Sequence, residues 1–331
     1  MEYSAGADRL AKSNKGQYNS SDMLDIIHQN HNIIHRKRKV RDICSGADPF
    51  VFKKNNLWHL LLQEDLRPDP EAHRGIGGYT LRTARSLEGI KNANPEPLIV
   101  ANQDDHLRQV WAAEIHSNFL YVAASEGGNR THRMHVYQTD ESPLGPWKYL
   151  GKLKTADGED FWAIDLTIIK INGNSYGVWS GWKANDDEFP QHIYISEMLS
   201  ETEIGPRHLL SSPKDNWCTS VKPILEGPQA IDIDGKFYGL TITGNASWTK
   251  DYSTSVMKYL GGDPLQKSSW AFVCQPLFES GFGIGHGIIV QEKKQLYYIG
   301  HRKSSDQPGW GDRVIFYASL SKEKLIDYLA S

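Results

Sequence analysis

The 331-residue chain has only three cysteines, Cys44, Cys218 and Cys274, and no two are spaced as C-x-x-C. That spacing excludes a zinc site on paired cysteines and a dense disulfide framework, leaving buried reduced thiols or one bridge with one thiol over. No stretch reaches 18 consecutive apolar residues, so no membrane-spanning helix is expected. The formal net charge is only -3 with both signs mixed, which removes any global electrostatic case for a nucleic-acid or membrane partner. No basic segment leads into an apolar one near the start, so no leader peptide is read. The chain is therefore expected in the cytoplasm, or outside the cell if a leader has been removed. Gly75-Ile-Gly-Gly78 lacks the strand-to-helix setting of a phosphate-binding glycine motif. Asn129-Arg-Thr131 and Asn245-Ala-Ser247 match the glycosylation acceptor pattern, which matters only in a secreted eukaryotic protein.

What the chain does have is glycine (29 residues) and aromatics (10 Trp, 15 Tyr, 10 Phe), a composition that suits short strands joined by tight turns. Between Asp165 and Trp182 a carboxylate opens an apolar run, Asn172-Gly173 follows, and an aromatic run returns. Asn-Gly between two such runs predicts a hairpin, because both central residues of that turn need positive φ. The pattern recurs: Asp48 before Asn55-Asn56, Glu114 before Ser117-Asn118, Glu226 before Asp234-Gly235, and His286 before Lys293-Lys294. The five polar openers lie roughly 66, 51, 61 and 60 residues apart, long enough for one four-stranded blade each. The expected fold is all-β, a five-bladed β-propeller over residues 41–331. A short N-terminal extension over 1–40 precedes it, with a helix from Ser21 to His35 and the basic run Arg36-Lys-Arg-Lys39, packed on the propeller or joining a dimer.

In a propeller the first strand of each blade lines the central channel, so equivalent residues at the strand starts converge on one axial mouth. Four carboxylates and a histidine at one register would be costly for packing alone, since clustered acids repel and lose solvation. Such a cluster suits glycosidic hydrolysis, which needs a proton donor for the leaving oxygen and a second carboxylate on the other side. The rival use is a metal site. One channel histidine with acids spread over separate blades favours acid–base work, with a structural calcium or a water cluster at His286 as the remaining metal reading. Trp111 and Trp162 each stand three residues before a channel acid, where they either face a sugar ring or pack one blade on the next.

These residues also carry a resemblance. Gly46-Ala-Asp-Pro-Phe50, Trp111-Ala-Ala-Glu-Ile-His116 with Thr131-His-Arg-Met134, Trp162-Ala-Ile-Asp165 with Val178-Trp-Ser-Gly-Trp182, Glu226-Gly-Pro228 and Gly285-His286 resemble glycoside hydrolase family 43 over about residues 42 to 320. Within the family they are most similar to its α-L-arabinofuranosidase branch. The resemblance implies a five-bladed propeller that hydrolyses with inversion and requires no cofactor. It assigns Asp48 as general base, Asp165 as the carboxylate that orients the acid and raises its pKa, and Glu226 as general acid. It also implies His286 as the fifth-blade channel histidine, holding water or calcium, and Arg313 as a late arginine reaching the sugar. With Trp111, Glu114 and Trp162 these form the expected substrate-binding set, and the expected partner is an oligosaccharide or polysaccharide. The Gly287-Ile288 that follows His286 departs from the branch, which leaves xylosides and galactosides open beside arabinan and arabinoxylan. A non-catalytic carbohydrate-binding propeller and a retaining fructan-active enzyme are the alternatives. The second would carry Arg-Asp-Pro before the third-blade acid and Glu-Cys at the acid, where this chain has Ala163-Ile-Asp165 and Glu226-Gly227.

Overall fold

The computed structural model describes residues 40–63, 79–98, 108–140, 142–185, 190–215, 219, 221–273, 276–278 and 283–330. The expectations for the N-terminal extension, its dimer contact, Cys218 and Cys274 fall outside these residues. Among the described residues the chain forms five sheets, antiparallel but for one short parallel pair, and each inner hairpin turns where the Asn-Gly-like pairs lie. Asn55 and Asn56 (φ 51° and 61°) and Asn172 and Gly173 (φ 52° and 88°) hold the two positive φ values that the right-handed twist of a tight hairpin demands.

Blade 1 runs Ala47–Lys54, Leu57–Gln63, Tyr79–Ala84 and Glu96–Leu98. Blade 2 runs Arg108–His116, Phe119–Ser125, Arg133–Gln138 and Lys148–Lys152. Blade 3 is wider, because Ala163–Ile171, Asn174–Gly181 and His192–Ser200 are joined by His208–Ser211, Glu203–Ile204 and the parallel Lys154–Thr155. Blade 4 is Leu225–Ile233, Phe237–Gly244, Ser253–Tyr259 and Trp270–Phe272. Blade 5 takes Gly285–Glu292, Gln295–Lys303 and Arg313–Leu320 from the end of the chain, and its outer strand, Arg41–Ser45, from near the start. This closure joins the two ends of the propeller and leaves the ring with no open seam at that point.

The apolar interior is divided among the seams between blades. One cluster joins blades 5, 1 and 2 through Leu60, Leu61, Leu120, Ile299 and Ile315. Others join blades 2 and 3 through Tyr121, Val136, Trp162 and Trp179, and blades 3 and 4 through Ile193, Leu225 and Leu240. The seam of blades 4 and 5 is covered by the helix Lys322–Ala330, which inserts Leu325, Tyr328 and Leu329 and accepts a hydrogen bond from Lys258 Nζ at the Leu329 carbonyl (2.7 Å). Among the described residues no helix is long and apolar enough to cross a membrane.

Seam packing makes a direct prediction. Ile315 is fully buried on blade 5, whereas Ile326 is more than half exposed on the helix. Ile315→Ala should cost about 2–5 kcal/mol in urea unfolding and Ile326→Ala no more than about 0.5 kcal/mol. Equal losses would mean that the seam does not carry the stability.

Candidate active site

Every inner strand begins with a break in its ladder. The register slips between Ala47 and Phe50, Arg108 and Trp111, Ile164 and Thr167, Glu226 and Gln229, and Gly285 and Ile288, and blade 2 slips a second time between Trp111 and Ala113. At each of these opening slips the first residue is left-handed: Asp48 (φ 51°), Gln109 (47°), Asp165 (59°), Gly227 (57°) and His286 (43°), with Ala112 (33°) at the second slip of blade 2. A bulge of this kind turns a side chain out of the pleat and toward the axis, and left-handed backbone outside glycine is strained.

The bulges correct the register expected from sequence. Asp48, Asp165 and His286 are equivalent, but Glu226 stands one residue before the fourth-blade bulge and Glu114 five residues after Gln109, which holds the equivalent place in blade 2. Glu226 therefore leaves the left-handed position to Gly227. A Cβ on Gly227 would come within 3.0 Å of the His286 ring, so only glycine lets the blade-5 imidazole approach. The Gly227 amide donates to Asp165 Oδ2 (2.9 Å), which ties the third-blade acid to the peptide beside the fourth-blade acid.

Asp48 is met by three side chains of blade 5. Its Oδ1 is 3.4 Å from His286 Nδ1, 3.4 Å from His301 Nδ1 and 3.7 Å from Arg313 Nη1. Its amide nitrogen is 3.3 Å from the same His301 nitrogen. Burial alone would raise the Asp48 carboxyl, but His286, the His301 hydrogen bond and the Arg313 cation outweigh it and hold the group well below the usual carboxylate range. Burial pushes His301 down to about 4, so this imidazole is neutral near pH 7.

The other two acids move the opposite way. Burial, with the negative charges of Asp48 and Glu114 nearby, pushes Asp165 up to about 6 against the pull of His286 and the Gly227 amide. Burial, then the charge of Asp165, raises Glu226 well above its ordinary value, while a hydrogen bond from Tyr252 works against the rise. The mouth thus holds one firmly ionised carboxylate and one carboxyl kept protonated. Such a split is what an acid and a base in one site require.

Two of the residues expected to contact substrate are committed elsewhere. Trp162 is 1% exposed, stacks on Trp182 at 4.3 Å and donates from Nε1 to the Asn129 carbonyl (2.7 Å), so blade packing claims the ring and the expected sugar face is absent. Glu114 is 3% exposed; Oε1 accepts from Gln229 (2.7 Å) and Oε2 lies 2.7 Å from His116 Nε2, a tie across the channel between blades 2 and 4. Trp111 is half-buried with one face on His132 at 3.9 Å. Asn245 is buried, with its Oδ1 accepting from the Val221 and Lys222 amides, and its side chain is closed to glycosylation.

Sequence reasoning missed His301 and Tyr252, whose rings stack at 5.4 Å. His301 was within reach of hairpin counting, since it pairs with Gly285 across the Lys293-Lys294 turn. Tyr252 lies in a loop and carries no such signal. As for calcium at His286, the imidazoles of His286 and His301 and the Arg313 cation crowd one Asp48 oxygen, which is not the six-to-eight-oxygen shell that calcium takes. Among the described residues no group of three or more His, Cys, Asp or Glu side chains is placed to hold a metal ion.

Residues 43–324 match Glycosyl hydrolases family 43. An extracellular exo-α-(1→5)-L-arabinofuranosidase of Streptomyces chartreusis is 26% identical over 285 residues, 78% of this chain and 81% of that protein. The solved α-L-arabinofuranosidase of Lactobacillus brevis superposes with a TM-score of 0.71 at 22% identity, covering 84% of this chain and 91% of that one. The endo-1,4-β-xylanase of Bacteroides thetaiotaomicron does so with a TM-score of 0.62 at 19% identity over 84% and 92%. At these identities the two superpositions speak for the fold.

The raised Glu226 carboxyl has a consequence for stability. The folded state binds this proton more tightly than the unfolded chain, so the contribution is complete below the unfolded value of about 4.3 and is lost as pH rises through the folded one. Glu226→Gln cannot ionise and should melt above the wild type at pH 8, with the gap closing toward pH 4. Thermal melts across that range check it, and a gap that does not change with pH would refute the buried, protonated acid.

Proposed function

The chain belongs to glycosyl hydrolases family 43 and is a glycoside hydrolase, and from that premise we propose that it removes terminal α-L-arabinofuranosyl residues from plant-type oligo- or polysaccharides with inversion. The observation that carries the reading is the pairing, in one mouth, of an Asp48 held ionised with a Glu226 held protonated. Asp48 is the general base. It takes a proton from a water molecule whose oxygen attacks the anomeric carbon. Glu226 is the general acid and gives its proton to the glycosidic oxygen as the bond from the anomeric carbon breaks. After the turnover Asp48 carries the extra proton and Glu226 is ionised, and exchange with solvent restores both. An inverting pair of this type is separated by about 6.5–9.5 Å so that the water fits between base and sugar.

The neighbours have derivable tasks. Arg313 and the two imidazoles keep Asp48 ionised in a buried setting, at the expense of some basicity. Asp165 raises the Glu226 carboxyl and, through the Gly227 amide, ties the peptide that carries it. The Streptomyces relative's name supports the arabinofuranosyl preference.

The test is release of nitrophenol from α-L-arabinofuranoside, β-D-xyloside and β-D-fructofuranoside aryl glycosides, with the first-formed anomer read by NMR. Arabinofuranoside should turn over with inversion, and Asp48→Ala and Glu226→Ala should each lose about 10²–10⁴-fold in kcat. Cleavage that survives loss of Glu226 would overturn the acid assignment, and binding without cleavage of any glycoside would make this a binding propeller. The role of Asp165 has its own readout. Asp165→Asn removes the negative charge that raises Glu226, so the acid ionises at lower pH and the alkaline limb of kcat/KM against pH moves down; a limb that stays in place would remove Asp165 from that role.

A further inference from the structure

Two loops rise from the second strands of blades 4 and 5 at the same end of the ring as the acids. Their position follows from pairing, since Glu226 is opposite Thr243 on one strand and Gly285 opposite His301 on the other. The first loop carries Trp248 and the second Trp310, and the rings pack at 5.3 Å with their planes 56° apart. Trp310 is 57% exposed and is the one aromatic among the exposed large hydrophobics of the described residues. Holding an indole in water forfeits the burial that such a side chain usually gains, so its presentation calls for a reason.

The loop that presents it is built from below by a fully buried lysine. Lys303 Nζ donates to Asp312 Oδ1 (2.5 Å) and to the Gly309 carbonyl (2.6 Å). Asp312 Oδ2 also accepts from the Ser305 amide (3.1 Å) and hydroxyl (2.6 Å). Burying a lysine is costly unless its charge is paired and its donors satisfied, and here they are. The two loops are also joined, the Gly309 amide donating to the Trp248 carbonyl (2.8 Å). Arg313 links this assembly to the acids: Nε donates to the Trp310 carbonyl (3.1 Å) and Nη1 lies 3.7 Å from Asp48.

The blade on which the platform begins decides which sugar it meets. The Trp248 loop follows the strand paired with Glu226, and Asn245 at its base holds the Val221 and Lys222 amides of the segment leading to that acid. A general acid protonates the leaving oxygen, so aromatic surface beside it lies on the leaving-group side. We infer that Trp310, backed by Trp248, is an aromatic platform for the sugar ring on the leaving-group side of the scissile bond. The inference rests on the acid role proposed for Glu226. The flat indole receives the C–H face of a pentose ring, and the contact gives longer oligosaccharides an advantage over simple glycosides.

The experiment compares kcat/KM of the wild type, Trp310→Ala, Trp310→Phe and Trp248→Ala on an α-1,5-arabino-oligosaccharide and on α-L-arabinofuranosyl fluoride. The fluoride places no sugar on the leaving side. For Trp310→Ala the loss on the oligosaccharide should exceed the loss on the fluoride by roughly tenfold, with Phe recovering most of it. Equal losses on both substrates, or none on the oligosaccharide, would overturn the platform. Should the wild type cleave neither, the proposed function fails, and the platform is judged separately by tryptophan-fluorescence titration of the Glu226→Gln chain with arabino- and xylo-oligosaccharides. Binding weakened by adding Trp310→Ala would uphold the platform. Unchanged binding, or none in the parent, would end it.

Discussion

The head of each inner strand is held in a left-handed turn, and the chemistry of the mouth depends on that constraint. Regular β backbone would alternate its side chains between the two faces of a blade and send none along the axis. A bulge at Asp48, Gln109, Asp165, Gly227 and His286 breaks the alternation at one level of the ring, and four of those residues are not glycine. Each left-handed non-glycine residue costs on the order of 1–3 kcal/mol, which is sustained only where the surroundings over-determine the backbone. The seams between blades, packed with residues such as Leu60, Leu225 and Ile315, supply that restraint.

From the bulges follows the division of electrostatic labour. Three carboxyls occupy one buried space, yet their surroundings differ in sign. Asp48 faces two imidazoles and a guanidinium from blade 5. Glu226 faces the carboxylates of Asp165 and Asp48 and the phenol of Tyr252, with Arg313 as the smaller, opposing charge. Asp165 accepts a hydrogen bond from Gly227, a backbone amide that cannot titrate. Blade 5 thus supplies the cationic side of the mouth, and its geometry is completed by Arg41–Ser45 from the other end of the propeller. The site therefore requires a closed ring.

Much of this was legible in the repeats. Two-residue turns with Asn, Gly or Asp announce their positive φ locally, and the five openers marked the blades because a hairpin is a short-range structure. The register of those openers was less legible. Asp48, Asp165 and His286 sit on the bulge itself, but Glu226 precedes it and Glu114 follows it, because a slip in the ladder is set by pairing with the second strand and leaves little trace in the strand's own residues. Trp162 misled for a related reason: an aromatic before an acid has the same sequence whether its face is open or stacked on Trp182.

Composition, turn residues and the spacing of five polar openers determined by themselves an all-β propeller with acids at one mouth, since these rest on local backbone preference and on periodicity. Tertiary structure alone decided the rest. It chose which strand completes blade 5, a pairing between Arg41–Ser45 and Arg313–Leu320 that no local signal encodes. It also brought His286, His301 and Arg313 to Asp48 and Asp165 to Glu226 and so set the two proton affinities apart, because desolvation and the distance to neighbouring charge exist only once distant segments meet.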